Sequence, residues 1–327
     1  MRFAVTLGLT VLCGASAASA LFASIAAAQA LPAKPIRFVG IATPGSPSDI
    51  IGRALGEPLS RRLGQQIIVD NRPGAGGTIA AGVVARSEPD GTTLLLTTSA
   101  QTGMPWMYGN LGFHPIADFS GVAALAELPN VLVVPPQRGW NALRDMIDAA
   151  KAKPGSLNFG SGGTGSGTHL CAEKLMLAAG IRANHVPYKG TSEGVIEVIA
   201  GRLDWFYAPA AGVVSLVRDG KLKALAVSTR ARMPLLPDVQ TVAEAGLNDA
   251  EYVFWIGLLA PRRTPRAAID ALNTETLGAL RLPEMRERLR QLGAEPLAMK
   301  PDEFDAFIAA DTESTGRIVK AAGIRSQ

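Results

Sequence analysis

Ile36-Arg37-Phe38-Val39-Gly40-Ile41-Ala42, then Thr43-Pro44-Gly45-Ser46-Pro47-Ser48-Asp49, then Ile50, Ile51, Ala54 and Leu55: this run reads as a strand, a small-residue loop and the apolar face of a helix. A second run repeats the design. Leu157-Asn158-Phe159 leads into Gly160-Ser161-Gly162-Gly163-Thr164-Gly165-Ser166-Gly167-Thr168, and His169, Leu170, Leu175 and Met176 follow at helical spacing. A loop of Gly, Ser and Thr lets the backbone approach a bound group closely. It also aims free N–H donors at that group from the positive end of a helix. Two such ends, one in each half of the chain, predict a grip on a small anion.

Working outward, strand-like runs fall at 36–42, 66–70, 93–98, 131–135, 157–160, 184–188, 204–208, 223–228 and 253–260. Most are short apolar runs without polar alternation, as expected of strands buried on both faces. Amphipathic helices are predicted near 48–64, 77–87, 141–152, 168–179, 191–200 and 211–219. This βα alternation predicts an α/β fold with parallel sheets flanked by helices. After Pro261 the pattern turns helical, near 265–280, 283–292 and 301–322, with Pro265, Pro283 and Pro301 at the helix starts where proline costs least. Such a tail packs back on the first domain. The predicted division is therefore 31–128 plus 251–327 for domain 1 and 129–250 for domain 2, with a hinge at the two chain crossings.

The first thirty residues read as an export signal. Arg2 supplies a basic start, an apolar and small-residue run follows, and Ala28-Gln29-Ala30 fits a small-x-small cleavage pattern, with the cut after Ala30. The run is rich in Ala and Ser rather than Leu, which disfavours a membrane anchor. The predicted location is the periplasm. Of the two cysteines, Cys13 leaves with the signal, so Cys171 stands alone, reads as a small buried hydrophobe and forms no intrachain disulfide. The net charge of +4 is small and dispersed, which hints at anionic ligands and gives no sign of nucleic acid. His114, His169 and His185 lack metal-site spacing. No cofactor or metal is expected.

Within the first loop, Pro44 and Pro47 stiffen the chain, Gly45 permits an unusual backbone angle, and Ser48 or Asp49 can cap the helix. Asp49 reads either as that cap or as a group facing the ligand. Thr97, Thr98, Ser99, Ala100 and Gln101 end the 93–98 strand, where ligands lie in open parallel sheets. Arg72, beside Asp70 and Glu88, reads as a local salt bridge. The second loop contains G-x-G-x-x-G at Gly160, Gly162 and Gly165. The strand that follows ends His185-Val186-Pro187-Tyr188-Lys189, without the acid that a dinucleotide site wants. Tyr188 and Lys189 can wall a pocket and add positive field, Gly190-Thr191 predicts another capped helix start, and Tyr207-Ala208-Pro209 reads as a rim position. The candidate ligand contacts are Gly45, Ser46, Pro47, Ser48, Asp49, Thr98, Ser99, Ala100, Ser161, Gly165, Ser166, Thr168, His169, Tyr188, Lys189, Gly190, Thr191 and Ala208.

With those loops in hand, the chain resembles the Bug/TctC family of periplasmic solute-binding proteins. The matching stretches include Lys34-Pro35-Ile36-Arg37, the Pro-Gly-x-x-x-Asp loop from Pro44 to Asp49, Asn71-Arg72-Pro73-Gly74-Ala75-Gly76-Gly77, Pro89-Asp90-Gly91-Thr92, Asn130-Val131-Leu132-Val133-Val134, His185 to Gly190, Gly220-Lys221-Leu222 and Thr241-Val242-Ala243-Glu244-Ala245-Gly246. The resemblance implies a two-domain Venus-flytrap fold with parallel or mixed sheets and the ligand in the cleft between domains. It implies a small carboxylate ligand, delivery to the permease subunits of a tripartite tricarboxylate transporter, and a monomer without enzymatic activity. Two departures stand out. Gly45-Ser46-Pro47 stands where many members have a Gly-Gly pair, and Ala208 where many have an acidic residue. The second departure tilts the expectation towards a ligand without an amine. Two alternatives stay open: an exported hydrolase or lyase, with Ser166 and His169 as the local nucleophile–base candidate and no carboxylate evident to orient the His, and a ligand-sensing receptor lobe.

Overall fold

The computed structural model describes residues 31–188 and 190–324. The proposed signal segment 1–30 lies outside them, as does Lys189.

Two sheets organise the chain. The first has six strands in the order β11-β4-β10-β3-β1-β2: β1 (Ile36–Gly40), β2 (Ile67–Asn71), β3 (Thr93–Thr98), β4 (Phe119–Leu128), β10 (Phe254–Pro261) and β11 (Glu295–Pro296). The second has five in the order β7-β6-β8-β5-β9: β5 (Asn130–Val134), β6 (Asn158–Ser161), β7 (Asn184–Pro187), β8 (Trp205–Pro209) and β9 (Lys223–Val227). The helices are α1 (Pro47–Leu63), α2 (Thr78–Ala85), α3 (Ala100–Met107), α4 (Leu143–Ala152), α5 (Gly167–Ala179), α6 (Thr191–Ile199), α7 (Ala210–Arg218), α8 (Arg266–Leu280), α9 (Pro283–Gln291) and α10 (Pro301–Ala321).

Both sheets are mixed, within the parallel or mixed arrangement that the resemblance implies and beyond the purely parallel one that the βα alternation alone predicts. β2, β1 and β3 run parallel, as do β7, β6 and β8, but β10 is antiparallel to β3 and β4, and β5 is antiparallel to β8 and β9. Each sheet buries alternate residues on opposite faces, because successive side chains point opposite ways. In the first sheet, Phe38, Leu94 and Leu96 pack in one cluster with Ile51 and Leu272, while Val39, Leu95 and Trp255 pack in another with Ala80 and Phe304. In the second, Leu132, Phe159 and Trp205 pack with Met146 and Leu175, while Val131, Val133 and Phe206 pack with Val195 and Val213. Each sheet is thus a layer between helices.

β4 and α3, like the two-residue β11, were not legible in the pattern. β4 is rich in alanine, a residue depleted from strands, yet it is buried except for Glu127 and pairs along β10. Its small residues have a packing reason: a Cβ on Gly121 would lie 3.0 Å from Phe304 of α10. α3 carries Gly103 and Pro105, both poor helix formers. The closing tail also does more than pack back on the first sheet. Phe304 and Ile308 of α10 join a core of that sheet, whereas Ile318 and Val319 join the core of the second.

The chain leaves the first sheet between Leu128 and Asn130 and returns between Val227 and Phe254. At the crossing, Asn130 donates its N–H to Ser228 Oγ at 3.1 Å, and Tyr252 donates its own to Ser228 O at 2.9 Å. The two crossing segments are thereby bonded side by side.

Candidate functional site

The two small-residue loops share one construction, and it differs from the expected cap. Ser46, not Ser48 or Asp49, is the N-cap of α1: its hydroxyl accepts from Asp49 N, and Asp49 Oδ2 accepts from Gly45 N at 2.8 Å. Ser166 is the N-cap of α5: its hydroxyl accepts from His169 N, and His169 Nδ1 accepts from Gly165 N at 3.0 Å. The parallel extends further. Gly45 and Gly165 have φ of 81° and 76°, Ser46 N donates to Thr43 O and Ser166 N to Gly163 O, and the hydroxyls of Ser46 and Ser48 and of Ser166 and Thr168 meet at 3.2 and 3.0 Å. A positive φ explains the glycine at each turn. The capping hydroxyl satisfies one of the helix's orphan N–H groups, and the third helical residue folds back on the loop.

Asp49 is buried and fully engaged, since Oδ1 also accepts from Arg53 at 2.8 Å and Asn71 at 2.6 Å. Burial opposes its ionisation, but the Gly45 N–H, the Asn71 amide and the Arg53 guanidinium outweigh it and hold the carboxyl below its ordinary range. Of its two sequence readings, the structural one describes these contacts. Arg72 pairs with Asp70, which also pairs with Arg37.

Strand polarity collects the candidates on sheet edges. β1 and β3 are parallel neighbours, so the 43–49 loop and the Thr98-Ser99-Ala100 segment leave the same edge of the first sheet. β6 and β7 likewise place 161–168 and Tyr188 at one edge of the second. The second loop then meets the first sheet's segment directly. A Cβ on Gly167 would lie 2.6 Å from Phe254 and 3.3 Å from Ser99 Oγ, and one on Gly165 would run into Met107 of α3. Ser99 is the N-cap of α3, its N–H donates to Trp255 O at 3.0 Å, and Tyr252 donates its hydroxyl to Ser99 Oγ at 3.5 Å. The starts of α3 and α5 therefore face one another across the two sheets. Thr98 Oγ1 accepts from Ala100 N at 3.2 Å, Tyr188 donates its N–H to Ser161 O, and Thr191 Cγ2 lies 3.3 Å from where a Gly162 Cβ would be.

Other candidates sit differently. No described residue lies within 4 Å of where a Gly45 Cβ would be, so space is open at this turn. Gly190 is the N-cap of α6 without any side-chain cap bond, which corrects the expected capped start. Tyr207 and Ala208 are not at a rim: both are buried, Tyr207 in the core beneath α5 and Ala208 in the opposite one, because alternation along β8 sends them to opposite faces.

The rings beneath the second loop were missed by sequence reasoning. His185, Phe159 and Trp205 occupy one cross-strand row and stack with 4.9 Å between neighbouring centroids, and His169 lies over His185 at 3.8 Å. His185 Nε2 is 2.6 Å from Ser161 Oγ, and His169 Nε2 is 3.3 Å from Glu173 Oε1. The sequence pairing of Ser166 with the His169 ring is thus replaced by Ser161 with His185, and a carboxylate does stand beside His169. Ser161 is fully buried and its hydroxyl also accepts from Gly163 N. Burial, with His169 alongside, pushes His185 down to about 4, so it is neutral at physiological pH. Among the described residues no cluster of three or more His, Cys, Asp or Glu is placed to hold a metal, and no helix is long and apolar enough to cross a membrane.

Residues 51–324 match the family model described as "Tripartite tricarboxylate transporter family receptor". The chain belongs to this family. A relative from Pseudomonas sp. strain P51, the UPF0065 protein in the tcbD-tcbE intergenic region, is 34% identical over 292 residues, covering 89% of this chain and 87% of its own. Among solved structures, Rpa4515 of R. palustris with adipate is 31% identical with a TM-score of 0.81, over 90% of this chain and 99% of that one. MatC from Rhodopseudomonas palustris with bound malate is 30% identical with a TM-score of 0.77, over 88% and 100%. This receptor family has the two-domain periplasmic binding-protein fold, and its members are solute-binding proteins. The two mixed, helix-flanked sheets described above are that fold.

Proposed function

We propose that this chain is a periplasmic receptor that captures a small organic carboxylate between its two lobes and hands it to the permease subunits of a tripartite tricarboxylate transporter. The carrying observation is the approach of Gly167 to Ser99, which sets the starts of α5 and α3 opposite one another. N–H donors and the positive ends of helix dipoles favour an anion there. The relatives solved with adipate and malate support a carboxylate. In this reading the lobes are 31–128 plus 251–327 and 129–250, with the crossings at Asn130 and Ser228–Tyr252 as hinge, and residues 1–30 are removed on export. The 45–49 loop, Ser99, Ser161 to His169, Tyr188 and Thr191 contact the ligand, and Lys189 adds positive field. Ligand shifts the lobes towards closure by binding the closed form more tightly. The buried Ser161 hydroxyl favours binding over catalysis.

A thermal-shift series with adipate, malate, succinate and aspartate tests this. A ligand that favours the folded state raises the melting temperature in proportion to the logarithm of its concentration above Kd. No shift with any acid up to millimolar concentration refutes the carboxylate assignment; a shift with aspartate alone refutes the expectation of a ligand without an amine.

A further inference from the structure

Asp311 lies midway along α10, between the turns that pack on the first sheet (Phe304, Ile308) and the turn that packs on the second (Ile318, Val319). One of its oxygens, Oδ2, takes two bonds: Trp255 Nε1 donates to it at 2.9 Å, and so does Thr102 Oγ1 at 2.9 Å. Both donors lead to Ser99, the N-cap of α3. Trp255 O accepts the Ser99 N–H at 3.0 Å, and Thr102 Oγ1 also stands 2.8 Å from Ser99 O. Asp311 therefore braces this N-cap from two sides, through β10 on one and through the first turn of α3 on the other.

The position is a costly one for an acid. Burial raises its carboxyl above the ordinary range, against the bonds from Trp255 and Thr102 and the charge of Lys174 on α5. An apolar residue would avoid that cost. What the carboxylate oxygen supplies is a shared acceptor that fixes the indole and the hydroxyl at once. The free N–H groups of a helix start point where its first turn is held. Binding groups work only when bonds behind them hold them to within about 0.5 Å. We propose that Asp311 is a positioning residue for the anion site: without touching the ligand, it holds the start of α3 in the aim that a bound carboxylate requires. The inference rests on the carboxylate reading of the cleft and adds to it a determinant of affinity on the C-terminal helix.

The test is calorimetry with adipate and L-malate on the full mature chain and its variants, with a urea titration of each. Asp311→Asn can keep both bonds, because Trp255 and Thr102 share one oxygen and the amide oxygen can take its place; affinity should stay within about twofold of native. Asp311→Ala removes both bonds, and affinity should fall about tenfold. Thr102→Val removes one, and affinity should fall about threefold. Ile308→Ala is the control on the same helix: its side chain sits in the first sheet's core, so the change lowers stability through a cavity, leaves the bonds at Asp311 in place and should leave affinity unchanged. Native affinity in Asp311→Ala, an equal loss in Asp311→Asn, or an equal loss in Ile308→Ala overturns the inference and leaves the carboxylate reading intact. If Asp311→Ala gives no cooperative melt, Thr102→Val decides in its place, and native affinity there overturns the inference. A native chain that binds neither acid overturns the carboxylate reading and the inference with it.

Discussion

Gly165 donates its backbone N–H to Nδ1 of His169, 3.0 Å away. Gly45 makes the corresponding bond to Asp49 in the other lobe. One geometry is thus closed by an imidazole in one lobe and by a carboxylate in the other. The donor is a backbone amide, so Nδ1 must be the bare nitrogen, and the ring proton sits on Nε2, towards Glu173. His169→Leu removes the acceptor and leaves the Gly165 amide unpaired. The expected cost is about 1–2 kcal/mol of stability, together with a fall of about tenfold in ligand affinity, read by urea titration and calorimetry. Unchanged affinity with lowered stability would assign His169 to folding alone.

Gly165 also separates two effects that a glycine carries. Its φ of 76° disfavours any L side chain, and a Cβ there runs into Met107 of the opposite lobe. Gly155 has the same φ with nothing within 4 Å of its Cβ position. Gly155→Ala should therefore cost only the backbone term, about 1–2 kcal/mol. Gly165→Ala should cost at least that, and in addition weaken ligand binding, because the added methyl holds the lobes apart. Equal ligand affinity in the two variants would contradict the contact between lobes.

His185 makes acid stability a sharp readout. Burial, then the adjacent His169, lowers its folded value to about 4 from an ordinary 6.5. The unfolded chain takes up the proton first as pH falls. The stability associated with neutral His185 is therefore fully present above pH 6.5, erodes between pH 6.5 and about 4, and changes no further below that. His185→Phe keeps a ring on Phe159 and removes the titration. Over this window its stability should fall less steeply than that of the native chain, in denaturant titrations at fixed pH. Parallel slopes would mean that the imidazole is solvated.

Much of the site was readable because it is local. Gly45, Ser46 and Asp49, like Gly165, Ser166 and His169, interact within five residues, so composition and spacing announce a loop feeding a helix. The assignment of the cap to Ser46 rather than Asp49 turned on a side-chain direction that spacing does not encode. β4 escaped notice because alanine carries no strand signal; it is a strand because β10 on one side and β11 on the other supply its hydrogen bonds. Ser161 and His185 lie 24 residues apart and meet only because β6 and β7 pair in a particular register.

The sequence by itself determined the alternation of strands and helices and the glycine turns, because each depends on φ preference or apolar period within one turn or strand. Only the tertiary structure decided that the second turn faces Ser99, that His169 stacks on His185, and that the Asn130 side-chain amide and the Tyr207 hydroxyl are buried without partners. These depend on strand register and on the packing of one sheet's helices against the other, which bring together residues far apart in the chain and are fixed by the burial of the whole molecule.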